Sequence, residues 1–345
     1  MPIRSPLVAS LLALASLVAA CTSTAPRASA PPSASGAAMA LPPDYAFPDQ
    51  DTLRVATWNV ENVVDLHDNP YIDSRSENNP GPNHADRLRR MVQGIRAMNA
   101  DVLVLQEFES EAYLEQIAEE HLTDMGYRFF AATESPDWYQ NVVLASRYPL
   151  GVVRSYSDVV TPIEGITTDE GQPAAQSLTN NRLWMADVQL PGDGRIALVG
   201  AHLKAGRGAR NAGWRIGQIR FLHAELNEVL AQRPQAKVAI AGDLNSLADS
   251  PELRLLLNDP ARPAPDSLQG RTATWQAQFT DLLAGRTTNT HPSDNPRRQL
   301  DYVLVNRHLR SDLVPGSARV ATPLAPDSMA ATSDHLPVVA TFRIR

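Results

Sequence analysis

A single cysteine in 345 residues leaves no partner for an intramolecular disulfide and no thiolate set for a Cys-rich zinc site. Basic residues are in deficit: 31 Lys and Arg face 38 Asp and Glu, a formal charge of −7. That balance argues against the broad basic surface of a non-specific nucleic-acid binder, while leaving room for a local basic groove. Aromatics make up only 6%, no repeat period is visible, and the apolar run at residues 7–18 is too short for a comfortable membrane span. Disulfide scaffolds, zinc fingers and disordered acidic chains are excluded. The hydrophobic share, 43%, suffices to bury one large core or two smaller ones.

The N-terminus carries a targeting pattern, with an early charge at Arg4, the apolar stretch, and a small-residue end at Ala19-Ala20. The only cysteine follows at once, in Leu17-Val18-Ala19-Ala20-Cys21. This run resembles the lipobox of bacterial lipoproteins, in which cleavage exposes a cysteine for acylation. Ordinary signal cleavage beside an incidental thiol is the bland alternative. The coincidence of the sole cysteine with the processing position favours lipidation of Cys21, and several acyl chains there would give stable anchoring. Thr22, in place of an aspartate, resembles the outer-membrane sorting case. Residues 22–50 hold eight Ala, six Pro and four Ser without apolar periodicity, a composition suited to a semi-extended tether. The expected organisation is a signal at 1–20, a lipidated cysteine and tether at 21–50, and one folded domain at 51–345.

From Leu53 onward, short β-rich runs appear at 53–60, 102–106, 141–146, 183–190, 195–202, 237–242, 302–305 and 338–344. Helical stretches lie between them. Leu88, Met91, Val92, Ile95 and Met98 recur at helical spacing after Asp86, an N-cap candidate. Ile219, Leu222, Leu226 and Val229 form a second stripe, and Ser250-Pro251 reads as an N-cap followed by proline in the first turn. The runs 183–190 and 195–202, joined through Pro191-Gly192-Asp193-Gly194, predict an antiparallel hairpin. That hairpin argues against a purely parallel sheet and for a mixed α/β sandwich.

The strands end in unusual residues. One run closes on Asn59, another on Gln106-Glu107, and a third on His202. Gly242-Asp243-Leu244-Asn245 places two polar groups two apart, on one side of an extended chain. Asp301 opens a strand, and Ser333-Asp334-His335 precedes the last one. Buried strands rarely carry ionisable ends unless these meet a partner, a metal or a substrate. Taken singly, each is more often solvated or hydrogen-bonded; six together are hard to assign to chance. The motifs Trp58-Asn59-Val60-Glu61-Asn62, Leu105-Gln106-Glu107, Gly242-Asp243-Leu244-Asn245-Ser246, Leu300-Asp301-Tyr302 and Ser333-Asp334-His335 together resemble the endonuclease/exonuclease/phosphatase superfamily, which includes deoxyribonuclease I. The match runs through nearly all of 51–345. It implies a four-layered α/β sandwich of two mixed sheets flanked by helices, with the active site at one edge.

By that resemblance Glu107 is the main metal ligand, with Asp334 and Asn59 near it. His335 would activate water or contact the scissile phosphate, with Asp301 fixing its tautomer. Asp243 would orient the nucleophile or serve a second metal, Asn245 would bond a phosphate oxygen, and His202 is a general-acid candidate. Carboxylates suit Mg²⁺, Mn²⁺ or Ca²⁺, and the lack of a cysteine cluster and of an HExxH-type pair disfavours zinc. Arg182 and Asn141 are phosphate-binding candidates, each balanced by a structural reading. Lys204, Arg207, Arg210, Arg215 and Arg220 follow His202 and read equally as a phosphate-gripping loop or a solvated face. His67, His84, His121, His223, His291 and His308 lack a supporting motif and read as surface or structural.

The inositol phosphatase branch of that superfamily places an arginine where Leu247 stands and Cys-Asp-Arg where this chain has Leu300-Asp301-Tyr302. The sphingomyelinase branch calls for an aromatic cluster that is not evident. The nuclease branch leads: an exported, lipid-anchored monomer hydrolysing DNA, or RNA, with Mg²⁺ and no protein partner. A phosphodiesterase acting on phospholipid head groups or small organic phosphates is the alternative, and a non-catalytic binding lipoprotein stands behind both.

Overall fold

The computed structural model describes residues 41–344 apart from 136–137, 157–158, 179–182, 271–273 and 287–288. The signal segment, Cys21, the first part of the tether and Arg182 therefore lie outside the described residues. The compact unit begins at Leu41, ten residues before the expected domain start. Tyr45 and Phe47 set that boundary: Tyr45 packs edge-on against Phe129 and donates from its hydroxyl to the Arg147 carbonyl, and Phe47 lies against Tyr148.

The apolar runs are buried on both faces and so need two covering layers. In β1 (Thr52–Val63), Leu53 and Val55 enter one hydrophobic cluster, while Ala56, Trp58 and Val60 enter another. The first sheet runs in the order β13 (Arg319–Val320), β14 (Val338–Arg343), β1, β2 (Val102–Phe108), β4 (Asn141–Ser146), β3 (Phe129–Ala132). The second runs β11 (Phe279–Asp281), β12 (Asp301–Asn306), β10 (Lys237–Asp243), β9 (Arg195–His202), β8 (Leu183–Gln189), β5 (Leu150–Ser155). Each sheet has a parallel pair at its centre, β1 with β2 and β9 with β10, among antiparallel neighbours. The expected hairpin is β8–β9, with Leu183 opposite Ala201 and Gln189 opposite Arg195. A separate ribbon pairs β6 (Val159–Thr167) with β7 (Pro173–Leu178).

Val104, Leu144, Leu198, Ala241, Val303 and their neighbours fill the space between the two sheets. Trp184 of β8 crosses that seam and donates from Nε1 to the Val142 carbonyl of β4, 2.8 Å away. Gly200 on β9 makes room for it, since a Cβ there would lie 2.3 Å from the Trp184 ring. After a one-turn α1 (Arg75–Asn78), α2 (His84–Met98) and α3 (Glu111–His121) cover the outer face of the first sheet. The outer face of the second is covered by α4 (Ala209–Gln232) and α5 (Pro251–Leu257). The result is helix, sheet, sheet, helix: the four layers expected. α5 starts as its sequence predicts, with Ser250 accepting from Leu253 N and Pro251 in the first turn. α2 starts two residues earlier than Asp86, at His84, because the Pro82-Asn83 turn already sets the backbone into the helix.

Candidate active site

Strand register assembles the second sheet's contribution. Asp243 of β10 lies opposite Asp301 of β12 on one side and His202 of β9 on the other. All three continue rows (Ala239-Ala241, Val303-Val305, Ile196-Leu198) that face the inter-sheet core. Period-two alternation thus carries three polar side chains inward at one sandwich edge. Gly242 is obligatory beside them, because a Cβ there would sit 1.8 Å from the Ala201 carbonyl oxygen. The first sheet contributes Asn59, which ends the Leu53-Val55-Thr57 row of β1.

Glu107 arrives by a different route. Alternation would place Gln106, not Glu107, on the face shared with Val102 and Val104. A register shift between Gln106 and Phe108, with Glu107 at φ 58°, turns its carboxylate into the site. Glu61, Asn62 and Asn245 also adopt left-handed backbone, at φ 53°, 56° and 48°. Four non-glycine residues in this sparsely populated region concentrate backbone strain at one edge, held there by their surroundings.

Asn59 donates from Nδ2 to Glu107 Oε1 and to Asp243 Oδ2, each at 3.2 Å, while its Oδ1 accepts from Glu61 N. Asn59 thus orients carboxylates contributed by both sheets. Gln140 donates to Glu107 Oε2 at 3.0 Å. Asn245 donates from its backbone to Asp243 Oδ1 at 2.8 Å.

The turn at Ser333–His335 docks onto this edge through many contacts. Ser333 Oγ donates to the Asn59 carbonyl at 2.6 Å, Trp58 Nε1 to the His335 carbonyl at 3.0 Å, and Asp334 N to Glu61 Oε2 at 3.0 Å. Arg87 of α2 donates to the carbonyls of Val60, Glu61, Asn62 and Thr332, tying β1's end to the same turn. His335 Nδ1 meets Asp301 Oδ2 at 2.8 Å, so its Nε2 points to the centre, 3.9 Å from Asp243 Oδ2 and 3.7 Å from Asp334 Oδ1. His202 Nε2 approaches from the other side, 3.8 Å from Asp243 Oδ2 and 3.9 Å from Glu107 Oε1. Two imidazoles thus flank one buried carboxylate.

Burial pushes the Asp243 carboxyl well above the ordinary carboxylate range, with His335 pulling against it and Asp301 adding to the rise. Burial opposes charge on His335, but Asp301 and Asp243 outweigh it and hold the imidazolium above its usual range. Glu61 is raised first by burial, then by the charge of Asp334, against the pull of Arg87. Glu61, Glu107 and Asp334 therefore crowd negative charge that a divalent cation would relieve. Their donors are hard oxygens, so the residues fit a divalent cation of the Mg²⁺, Mn²⁺ or Ca²⁺ kind.

Of the expected residues, His202, Asp243, Asn245, Asp301, Glu107, Asp334, His335 and Asn59 converge. Asn141 lies beside them with its amide engaged, Nδ2 on the Glu109 carbonyl and Oδ1 on Ser135 N, so it is a loop brace here. The basic segment divides. Arg215 is buried against Glu252 at 2.7 Å and Arg220 pairs with Glu164 at 3.3 Å, both structural. Lys204 lies over the Trp214 ring, and Arg207 is exposed near the end of the His202 strand.

Glu61 and Gln140 belong to the site although neither carried an expectation; Glu61 sits in the first quoted motif and could have been flagged there. One of the six histidines set aside requires correction. His291 is in the site, with Nε2 at 3.2 Å from Asp334 Oδ2 and its ring 4.7 Å from that of His335. Burial and the neighbouring His335 lower its basicity. His223 is structural as expected, buried and stacked on Trp275 at 3.8 Å.

Similar folds occur in solved structures. An endonuclease/exonuclease/phosphatase from Beutenbergia cavernae is 23% identical with a TM-score of 0.53, covering 86% of this chain and 72% of that one. D. rerio TDP2, solved with a single-stranded DNA product, is 17% identical with a TM-score of 0.53 over 85% and 100% of the two chains. Beta toxin from Staphylococcus aureus is 16% identical with a TM-score of 0.54 over 84% and 99%. Among curated proteins none matches the sequence. The Endonuclease/Exonuclease/phosphatase family profile matches residues 56–335, spanning every group from Asn59 to His335. With two mixed sheets, carboxylates and histidines gathered at one edge, and that match across them, the chain is a phosphodiester hydrolase belonging to the Endonuclease/Exonuclease/phosphatase family.

Proposed function

We propose that this hydrolase is an exported, lipid-anchored monomeric endonuclease that cleaves DNA with Mg²⁺. The observation that carries the catalytic part is the pairing of two half-sites across the sheet seam. His202, Asp243, Asp301 and Asn245 come from one sheet, and Asn59, Glu61 and Glu107 from the other. Glu107, Glu61 and Asp334 would hold Mg²⁺, which supplies Lewis-acid stabilisation of charge on the phosphate when bound. Asp243, kept basic by burial and oriented by Asn59 and Asn245, positions the attacking water. His335, oriented by Asp301, donates from Nε2 to a phosphate oxygen. His202, on the opposite side of Asp243, protonates the leaving oxygen.

DNA is favoured by the fold shared with TDP2, solved with a DNA product, and by exposed Arg207 and Arg210 beside the His202 strand. The anchor reading rests on Cys21 and its preceding motif. Among the described residues no helix is long and apolar enough to cross a membrane. Phospholipid head groups are the second reading, favoured by Leu66 and Tyr71, which are 73% and 83% exposed on the loop that follows Glu61.

The test is incubation of residues 41–345 with supercoiled plasmid in Mg²⁺, Mn²⁺, Ca²⁺ or EDTA, beside His335→Ala. Metal-dependent nicking should fall by about 10²–10⁴-fold in the variant. Plasmid left intact by a folded protein that releases head groups from liposomes would replace DNA with phospholipid. Full nicking by His335→Ala would overturn the assigned mechanism.

A further inference from the structure

His291 stands outside every motif, yet the loop that carries it is closed on itself and bolted to the site. His291 and Arg298 pair across it, with Arg298 N donating to the His291 carbonyl and His291 N to the Arg298 carbonyl, each at 3.0 Å. Thr290 Oγ1 accepts from Leu300 N and Asp301 N, at 3.0 and 3.2 Å. The loop also grips the opposite turn: Leu336 N donates to the Thr290 carbonyl at 2.8 Å, Ser293 N to the Asp334 carbonyl at 2.8 Å, and Ser293 Oγ to the Ser333 carbonyl at 2.6 Å. One short segment thus fixes Asp301 and Asp334 relative to each other.

The His291 ring completes this arrangement. Its Nδ1 lies 2.9 Å from an Arg298 guanidinium nitrogen. A guanidinium only donates, so Nδ1 must accept, and the neutral ring carries its proton on Nε2. That proton points at Asp334 Oδ2, 3.2 Å away. His291 meets the geometric requirement for a ligand, since its Nε2, Asp334 and His335 lie within 4.8 Å of one another. The tautomer that Arg298 imposes opposes ligation, because a metal on Nε2 would drive the proton onto Nδ1, against the guanidinium.

We infer that His291, locked by Arg298 as the Nε2–H tautomer, is a positioning residue that anchors Asp334 Oδ2 and leaves Oδ1 to face the site centre. This rests on the reading that Asp334 helps to hold the divalent cation. The Asp334 side chain is 45% exposed, so packing alone does little to fix its rotamer. Partners that orient a ligating group commonly change metal affinity or activity by about 10–100-fold when removed.

Mn²⁺ binding followed by electron paramagnetic resonance, and hydrolysis of bis(p-nitrophenyl) phosphate, test this without a nucleic acid. His291→Phe should weaken Mn²⁺ binding by about tenfold and lower kcat more than KM. His291→Gln, whose amide still donates, should recover most of both, and Arg298→Met should fall between. Long-range ¹⁵N–¹H spectra of the wild type should show His291 protonated on Nε2. Wild-type Mn²⁺ affinity and kcat in a folded His291→Phe protein would overturn the inference. So would a folded His291→Gln protein no better than His291→Phe, or a ring protonated on Nδ1. Should His291→Phe fail to fold, the Gln and Met variants and the tautomer carry the test. A wild type that spares plasmid but binds Mn²⁺ in a His291-dependent way would refute the DNA reading and leave this one standing.

Discussion

Asp301 is fully buried, with Oδ2 bonded to His335 and Oδ1 without a hydrogen-bond partner. A buried carboxylate oxygen left unpaired is destabilising by itself, which marks Asp301 as serving the histidine more than the fold. Asp301→Asn replaces an acceptor by an amide that can present its NH₂ to Nδ1 and so favour the wrong tautomer. The expected outcome is a loss of about 10²–10⁴-fold in kcat on bis(p-nitrophenyl) phosphate, with a melting temperature equal to or above that of the wild type. Calorimetry and steady-state kinetics together check it. A variant that melts early in proportion to its lost activity would make Asp301 structural.

At the scale of elements, α4 carries a titratable group into the core. His223 bonds the Leu256 carbonyl of α5 through Nε2 at 2.9 Å, and its Nδ1 has no partner. Burial lowers its pKa to about 4 from 6.5. The folded state therefore holds this ring neutral while the unfolded chain takes up a proton first. Its contribution to stability is full above pH 6.5 and is lost as pH falls from 6.5 towards 4, by about 3 kcal/mol in total. Urea midpoints measured at pH 7 and pH 4.5 should show this decline, and His223→Phe should show a shallower one. An equal decline in both would assign the acid sensitivity elsewhere. Legibility also divides by element. The central strands read clearly because β1, β2, β4, β9, β10 and β12 are buried on both faces, leaving continuous apolar runs. β5 and β6 are hard to read because their apolar residues do not alternate with burial, Val152, Val153 and Val160 being 41–64% exposed. Glu107 was visible as a strand end, but its aim depends on a bulge that no alternation pattern encodes. His291 was invisible because its segment, Thr290-His291-Pro292-Ser293-Asp294, has no apolar frame, and its partner Asp334 lies 43 residues away.

For the whole molecule, anchoring is the property that most needs a direct measurement. Expressed at full length with radiolabelled palmitate, the chain should incorporate label and partition into detergent, and Cys21→Ser should do neither. Equal partition by the variant would remove the lipid anchor from the proposal. Within the folded unit the first and last described strands bring the two ends together. Asp51 accepts from Ile344 N, Thr52 pairs with Arg343, and Tyr45 sits against Arg147, so both ends of the folded chain leave from one pole. β1 then runs from Leu53 to Asn59 before reaching the chemistry, a rise of about 20 Å along the sandwich. Where the chain enters the folded unit and where it gathers its chemistry are thus opposite ends of one central strand.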